Sequence, residues 1–177
     1  MKRPSKGKTV LLMAAAVLLA WVMWYGRPVN IYSLGAKGAP LQIIAYVDLY
    51  TGGDGEYRGA ERTGTRRVDL AADTPEGQAV LDELEDLYFR RSLLNPLRQL
   101  LPARGTGAQL DDGEMAFVVD VFTADGYVLL QFFDGKWSYN TPEQMNYFPC
   151  DLPDGEAAGR TLGETLWNLP QAKEVPS

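Results

Sequence analysis

The chain has 177 residues, a net charge of −6, one cysteine and no histidine. The absence of histidine excludes Ser-His-Asp and Cys-His catalytic groups, imidazole acid–base catalysis and zinc sites that need a histidine ligand. A single cysteine, Cys150, excludes a disulfide within the chain.

The first predicted element is a transmembrane helix over residues 9–26, an uncharged run of mostly Leu, Val, Ala and Met. At about 1.5 Å rise per residue, a helix of this length nearly crosses the ~30 Å hydrocarbon core of a bilayer. The preceding basic tail, residues 1–8, carries four cationic residues, whereas Arg27 alone follows the run closely. This asymmetry predicts a cytoplasmic N-terminus. Aromatic rings suited to the membrane boundary gather at the distal end: Trp21, Trp24 and Tyr25.

A cleaved secretory signal is the alternative for this segment, because it also has a basic start and an apolar middle. Cleavage requires small residues at the last and third-last positions before the cut. A cut after Ala20 would place Leu18 at the third-last position, and a cut after Gly26 would place Trp24 there. The pattern therefore favours an uncleaved signal anchor, and the only cysteine lies too far along the chain for lipid attachment.

Residues 28–177 hold 12 lysines and arginines against 23 aspartates and glutamates, a net charge of −11. Such a field repels nucleic acid and, for the domain as a whole, anionic lipid headgroups. We expect a linker over 27–39, one extracytoplasmic domain over 40–170 and a disordered tail over 171–177.

The domain is predicted to begin with a strand over 41–50, where five apolar residues recur at every second position: Leu41, Ile43, Ala45, Val47 and Leu49. Residues 65–70 follow as an edge-like second strand. Thr74 and Pro75 are typical of a helix start, and the apolar stripe after them predicts a helix to about Arg91.

Residues 114–139 predict an antiparallel meander of three strands, with turns at Ala124-Asp125-Gly126 and Asp134-Gly135. A closing helix is expected over 162–169, because Thr161 and Glu164 have capping-box spacing. The fold class is therefore α+β: an N-terminal transmembrane helix followed by one small domain with a mostly antiparallel sheet and two helices.

The segment FVVDVFTADGYVLLQFFDGKWSY, followed by an aromatic stretch and GETLWNL, resembles the C-terminal half of small uncharacterised extracytoplasmic domains. Those domains occur in membrane-anchored proteins and lipoproteins of Gram-positive bacteria. The resemblance covers about residues 41–169 and implies a fold and a compartment. It departs from the lipoprotein members because no lipobox cysteine is present, and it brings no catalytic residues.

Two groups of residues are candidate partner contacts. A basic patch in an acidic domain would suit an acidic protein surface or an anionic envelope polymer. A charged edge strand that resists aggregation explains the same patch. Aromatic residues near the last meander strand would contact a partner if exposed, or fill the core if buried. The candidate residues are Arg58, Arg62, Arg66, Arg67, Trp137, Tyr139 and Tyr147.

Three acidic glycine turns, beginning at Gly53, Asp111 and Asp151, have oxygen ligands that suit calcium, but also the ordinary composition of turns. We predict no catalytic residue, cofactor or metal site. The sequence favours a non-catalytic binding module that contacts the membrane through its helix and an unknown protein or envelope component through its domain. The alternatives are a carboxylate-pair hydrolase acting on an envelope polymer and a structural subunit that associates through its membrane helix.

Overall fold

A computed structural model describes residues 6–30, 38–52, 60–91, 112–141, 144–152 and 154–176. The helices are α1 Lys6–Tyr25, α2 Pro75–Glu85 and α3 Gly155–Asn168. The strands are β1 Pro28–Asn30, β2 Pro40–Thr51, β3 Glu61–Ala71, β4 Tyr88–Arg91, β5 Met115–Thr123, β6 Gly126–Phe133, β7 Lys136–Thr141, β8 Gln144–Asp151 and β9 Lys173–Glu174. This arrangement confirms the predicted α+β class.

The described strands form one antiparallel sheet in the order β1-β4-β8-β7-β6-β5-β2-β3-β9. Its centre contains the predicted meander β5–β6–β7. Asp134 and Gly135 both have positive φ, 51° and 65°, as a two-residue type I′ hairpin requires. Local turn chemistry therefore sets the register of the central strands.

Helices α2 and α3 cover one face of the sheet, called here the helix-covered face. The core lies between them and the inward side chains of the strands, including Val119, Leu130, Leu84 and Leu166, each 0 % exposed. Helix α3 approaches the sheet closely, because a Cβ added at Gly159 would overlap the Phe132 ring. Burial on this face supplies the main driving force for folding.

Helix α2 begins as predicted and ends earlier. The Thr74 hydroxyl accepts a hydrogen bond from the Gly77 N–H at 3.1 Å, and Pro75 occupies the first turn. The predicted continuation to Arg91 is wrong, because the helix stops at Glu85 and residues 88–91 form β4. Pairing of β4 with β1 and β8, together with burial of Phe89, outweighs the helical pattern there.

Helix α3 begins seven residues before the predicted start, at Gly155. The residue before it, Asp154, adopts a left-handed conformation with φ 53°. The Thr161 hydroxyl is not a cap: it donates to the Ala157 carbonyl at 3.0 Å, inside the helix. The predicted helix start is therefore wrong. The helix includes Gly155 and Gly159, where the absence of a side chain allows close contact with the sheet.

Strands also form in the predicted linker and tail. Within 27–39, Pro28–Asn30 pairs with β4 and buries Val29; residues 31–37 lie outside the described part. Within 171–177, Lys173 and Glu174 pair with Arg67 and Arg66, and the Val175 N–H donates to the Thr65 carbonyl. Residues 28–30 of the predicted linker and residues 173–175 of the predicted disordered tail are therefore held by sheet pairing.

Helix α1 is long and apolar enough over Gly7–Tyr25 to cross a membrane, and none of this stretch is buried in the fold. Its last turn closes with a hydrogen bond from the Gly26 N–H to the Val22 carbonyl at 2.9 Å. Only Gly26 and Arg27 separate it from β1. The helix therefore joins the sheet almost directly.

Candidate functional site

The sheet face opposite α2 and α3 is called here the outer face. Its side chains alternate with the buried ones along each strand. It combines aromatic, aliphatic and polar groups from β2, β3, β5, β6 and β7: Gln42, Ile44, Tyr46, Asp48, Thr65, Arg67, Asp69, Val118, Asp120, Phe122, Tyr127, Leu129, Gln131, Phe133, Ser138 and Asn140.

The strand register arranges these side chains in rows across the sheet. One row runs Asp69, Ile44, Asp120, Leu129 and Asn140. A neighbouring row runs Arg67, Tyr46, Val118, Gln131 and Ser138. At about 4.8 Å between strands, each row spans roughly 19 Å.

The apolar part of the outer face is unusual for an antiparallel sheet with one covered face. Such a sheet commonly carries polar residues on the other face. Here Tyr46 is 40 % exposed, and Phe122 and Tyr127 form a ring pair with centroids 6.1 Å apart. An apolar surface of this kind, mixed with polar groups, is typical of a contact surface for another molecule.

Asp120 lies near the middle of the outer face. Its register partners are Ile44 on β2 and Leu129 on β6, so aliphatic side chains flank its carboxyl group. This partial burial raises the pKa of Asp120 above its ordinary value. A carboxyl group in such surroundings favours contact with a ligand group that donates a hydrogen bond or carries positive charge.

The predicted basic patch divides between the two faces of the sheet. Arg66 lies on the helix-covered side, where its guanidinium stacks over the Trp167 ring at 4.3 Å and donates to the Trp167 carbonyl at 2.7 Å. Arg67 lies on the outer face, 3.2 Å from the Asp69 carboxylate. Arg62 lies 3.8 Å from the Asp48 carboxylate.

The three arginines that the structure describes therefore do not form one continuous cationic patch. Arg66 is held in intramolecular contacts, and Arg62 and Arg67 have acidic neighbours, so their charges are partly balanced. Arg58 lies outside the described residues. A role of these arginines in partner binding stays a prediction.

The predicted aromatic contacts lie in the core where the structure describes them. Trp137 and Tyr139 are 2 % and 4 % exposed, and the Trp137 indole N–H donates to the Gly155 carbonyl at 2.6 Å. Trp137 also contacts the Phe117 ring edge-on at 5.5 Å. These two rings therefore fill the core, which was one of the two interpretations from the sequence, and they are not exposed for contact with a partner. The Tyr147 side chain lies outside the described part.

Sequence reasoning missed the outer-face residues because the alternation was used only to find the buried side. A usable signal was present in β2, where Ile44 and Tyr46 fall between buried positions and are themselves apolar or aromatic. In β6, Leu129 likewise falls between the buried Val128 and Leu130, and Tyr127 and Phe133 alternate in step with it. Strands with apolar residues at both parities predict a second surface that favours contact.

A separate cleft of about 330 Å³ lies between the first turns of α3 and the start of β5. Arg160 bridges two carboxylates there, at 2.7 Å from Glu156 and 3.8 Å from Glu114. No group of three or more potential metal ligands occurs among the described residues. The cleft thus shows an ion-paired cluster.

No protein-family model, curated protein or solved structure matches this chain.

Proposed function

We propose that this chain is a single-pass membrane protein whose α+β domain lies outside the cytoplasm and acts as a non-catalytic binding module. The observation that carries the proposal is the junction of α1 with the sheet. An apolar helix with no buried residue is joined by two residues to β1, an edge strand of the described sheet, so the domain is held beside the site where the helix would enter a bilayer.

The proposed orientation follows from charge and aromatic placement. Four cationic residues precede the uncharged run over residues 9–26, and these favour the cytoplasmic side. At the other end, the Trp21 and Tyr25 rings stack with centroids 5.3 Å apart, and the Arg27 guanidinium lies 5.7 Å from the Trp24 ring centre. Rings and arginine together suit the membrane–water boundary on the domain side.

The outer face supports the binding role. Its rows of mixed apolar and polar side chains offer area for burial and groups for orientation, as contact surfaces generally do. Tyr46, a large side chain on this face that is 40 % exposed, supplies an aromatic anchor. The expected partner is a protein or polymer of the cell envelope.

Cysteine labelling tests the topology. In a chain with Cys150 replaced by serine, cysteine is placed either at Ala79, exposed on α2, or at Gly7, exposed at the start of α1. A membrane-impermeant maleimide added to whole cells should label Ala79→Cys and leave Gly7→Cys unlabelled until lysis. Labelling of Gly7→Cys alone in whole cells would contradict the proposed orientation.

Photocrosslinking tests the binding role. A photoreactive phenylalanine derivative replaces Tyr46 on the outer face or Ala79 on the solvent side of α2. Discrete crosslinked products from position 46, absent from position 79, are expected. Equal products from the two positions, or none from either, would contradict a specific contact at the outer face.

A further inference from the structure

The sheet has an edge that lies close to the end of α1. Tyr25 ends the helix and Pro28 begins β1, so their Cα atoms are at most about 11 Å apart. Pro28 pairs with Arg90 on β4, which adds about 5 Å. The Arg90 Cα atom therefore lies within roughly 17 Å of the helix end, a range that includes the headgroup layer if α1 spans a bilayer.

We propose that this edge, formed by Arg27, Tyr88 and Arg90 and called the juxtamembrane edge, binds anionic lipid headgroups. The proposal rests on the membrane anchoring proposed above and adds a second contact between the domain and the bilayer. Its effect is to hold the domain against the membrane surface instead of letting it turn freely about residues 26 and 27.

The side chains of the juxtamembrane edge suit this ligand. Tyr88 is 56 % exposed and Arg90 is exposed, while Phe89 between them is buried and fixes the strand. Guanidinium groups bind phosphate through directed pairs of hydrogen bonds, and tyrosine is enriched at membrane interfaces. Arg27 is exposed and its guanidinium lies over Trp24 at the helix end.

Charge placement favours the same ligand, although the domain as a whole is acidic. Residues 87–91, the described part of the chain that includes β4, contain two arginines and no acidic residue. The nearest preceding acids, Glu85 and Asp86, come before β4, which runs antiparallel to β1 and hence toward α1. They therefore lie farther from the helix end than Arg90. Asp151 is the register partner of Arg90 on β8, and the two arginines of the edge, Arg27 and Arg90, outnumber this one acidic residue.

The test uses the full chain reconstituted in vesicles of phosphatidylcholine alone or with added anionic phosphatidylglycerol. Every variant carries Cys150→Ser and a spin label at Asp86→Cys, two residues from Tyr88 and exposed. Collision of the label with a nickel chelate attached to lipid headgroups reports how closely the edge approaches the membrane. We expect closer approach in the anionic vesicles and loss of this difference in concentrated salt.

Arg90→Gln should reduce the population of the close state about fivefold, the effect of removing one arginine near an anionic surface. The matched control, Arg62→Gln, removes an equally charged and 56 % exposed side chain on β3, six strands away in the sheet, and should leave the close state unchanged. Equal collision rates in the two kinds of vesicle, or equal losses in both variants, would overturn the proposal.

Carbonate extraction of the same vesicles separates this failure from failure of the proposed function. A chain that is retained by the bilayer, yet shows no dependence on anionic lipid, overturns only the juxtamembrane contact. A chain that is released overturns the anchoring and the contact together.

Discussion

The two faces of the sheet differ most clearly between residues that are neighbours in the sequence. Leu130 points to the helix-covered face and is 0 % exposed, whereas Leu129 points to the outer face and is half-buried. Val119 and Val121 are likewise fully buried, and Asp120 lies between them on the other side. The helix-covered face is composed mainly of apolar side chains, while the outer face also carries carboxyl groups, amides and hydroxyls.

This difference separates what stabilises the domain from what is available for contacts. One covered face is enough to stabilise an antiparallel sheet when helices complete the core. Packing against α2 and α3 therefore restricts the choice of residue at every second position along each strand. The other side chains are free of that requirement, so their composition reflects what the outer face meets.

Replacing each of the two leucines on β6 by alanine gives the largest expected difference in the free energy of unfolding. Leu130→Ala should lower the free energy of unfolding by about 2–5 kcal/mol, because it leaves a cavity in a fully buried site. Leu129→Ala should lower it by about 1 kcal/mol or less, since water already reaches that side chain. Urea unfolding of the two variants measures both values. Equal losses would show that the outer face is as fully packed as the core.

Alanine variants of the neighbouring residues Arg66 and Arg67 give a smaller expected difference in the free energy of unfolding. Arg66→Ala removes the guanidinium from the Trp167 ring and carbonyl and should lower the free energy of unfolding by about 1–2 kcal/mol. Arg67→Ala removes an exposed ion pair with Asp69 and should change it by less than about 1 kcal/mol. Urea unfolding again supplies the comparison. A larger loss for Arg67→Ala would mean that the arginines have been assigned to the wrong faces.

The parts of the fold that local chemistry determines were predictable. Alternating apolar residues in β2 identified a strand, Asp134-Gly135 identified a hairpin turn, and Thr74-Pro75 identified the start of α2. Each signal depends on residues close together in the chain. The meander and the α+β class follow from these signals because neighbouring strands joined by short turns pair directly.

The remaining elements depend on contacts between residues far apart in sequence. Strands β1, β4 and β9 are two to four residues long, which is too short for a periodic pattern. They form because β1 pairs with β4, β4 with β8, and β9 with β3. The start of α3 was missed because Gly155 and Gly159 lower helix propensity. Their missing side chains allow close contact with Trp137 and Phe132.

The candidate site was less predictable than the fold. Composition identified arginines and aromatic residues, but not the face on which each lies. Only the strand register places Arg66 and Trp137 on the helix-covered face. The outer face is defined by register between strands β2 and β5, which are more than sixty residues apart. No local pattern contains that information.

The smallest expected effect concerns pH. Burial raises the pKa of Asp120 above its ordinary value of 3.8, so between that value and the raised one the folded chain binds more protons than the unfolded chain. Stability should therefore fall as pH rises through this window. Asp120→Asn removes the penalty of burying a charge: above the window it should be more stable than the parent chain, and this gain should disappear below pH 3.8.

Carboxyl-carbon NMR titration of Asp120 checks the cause directly, and Leu129→Ala provides its control. Leu129 flanks the carboxyl group on β6, so its truncation admits water and should bring the pKa of Asp120 back toward 3.8. The helix-covered truncation, Leu130→Ala, changes the opposite face and should leave this pKa raised. If Asp120 titrates at or below 3.8 in the parent chain, aliphatic neighbours do not shield it, and the outer face is a hydrated surface instead of a partly apolar one.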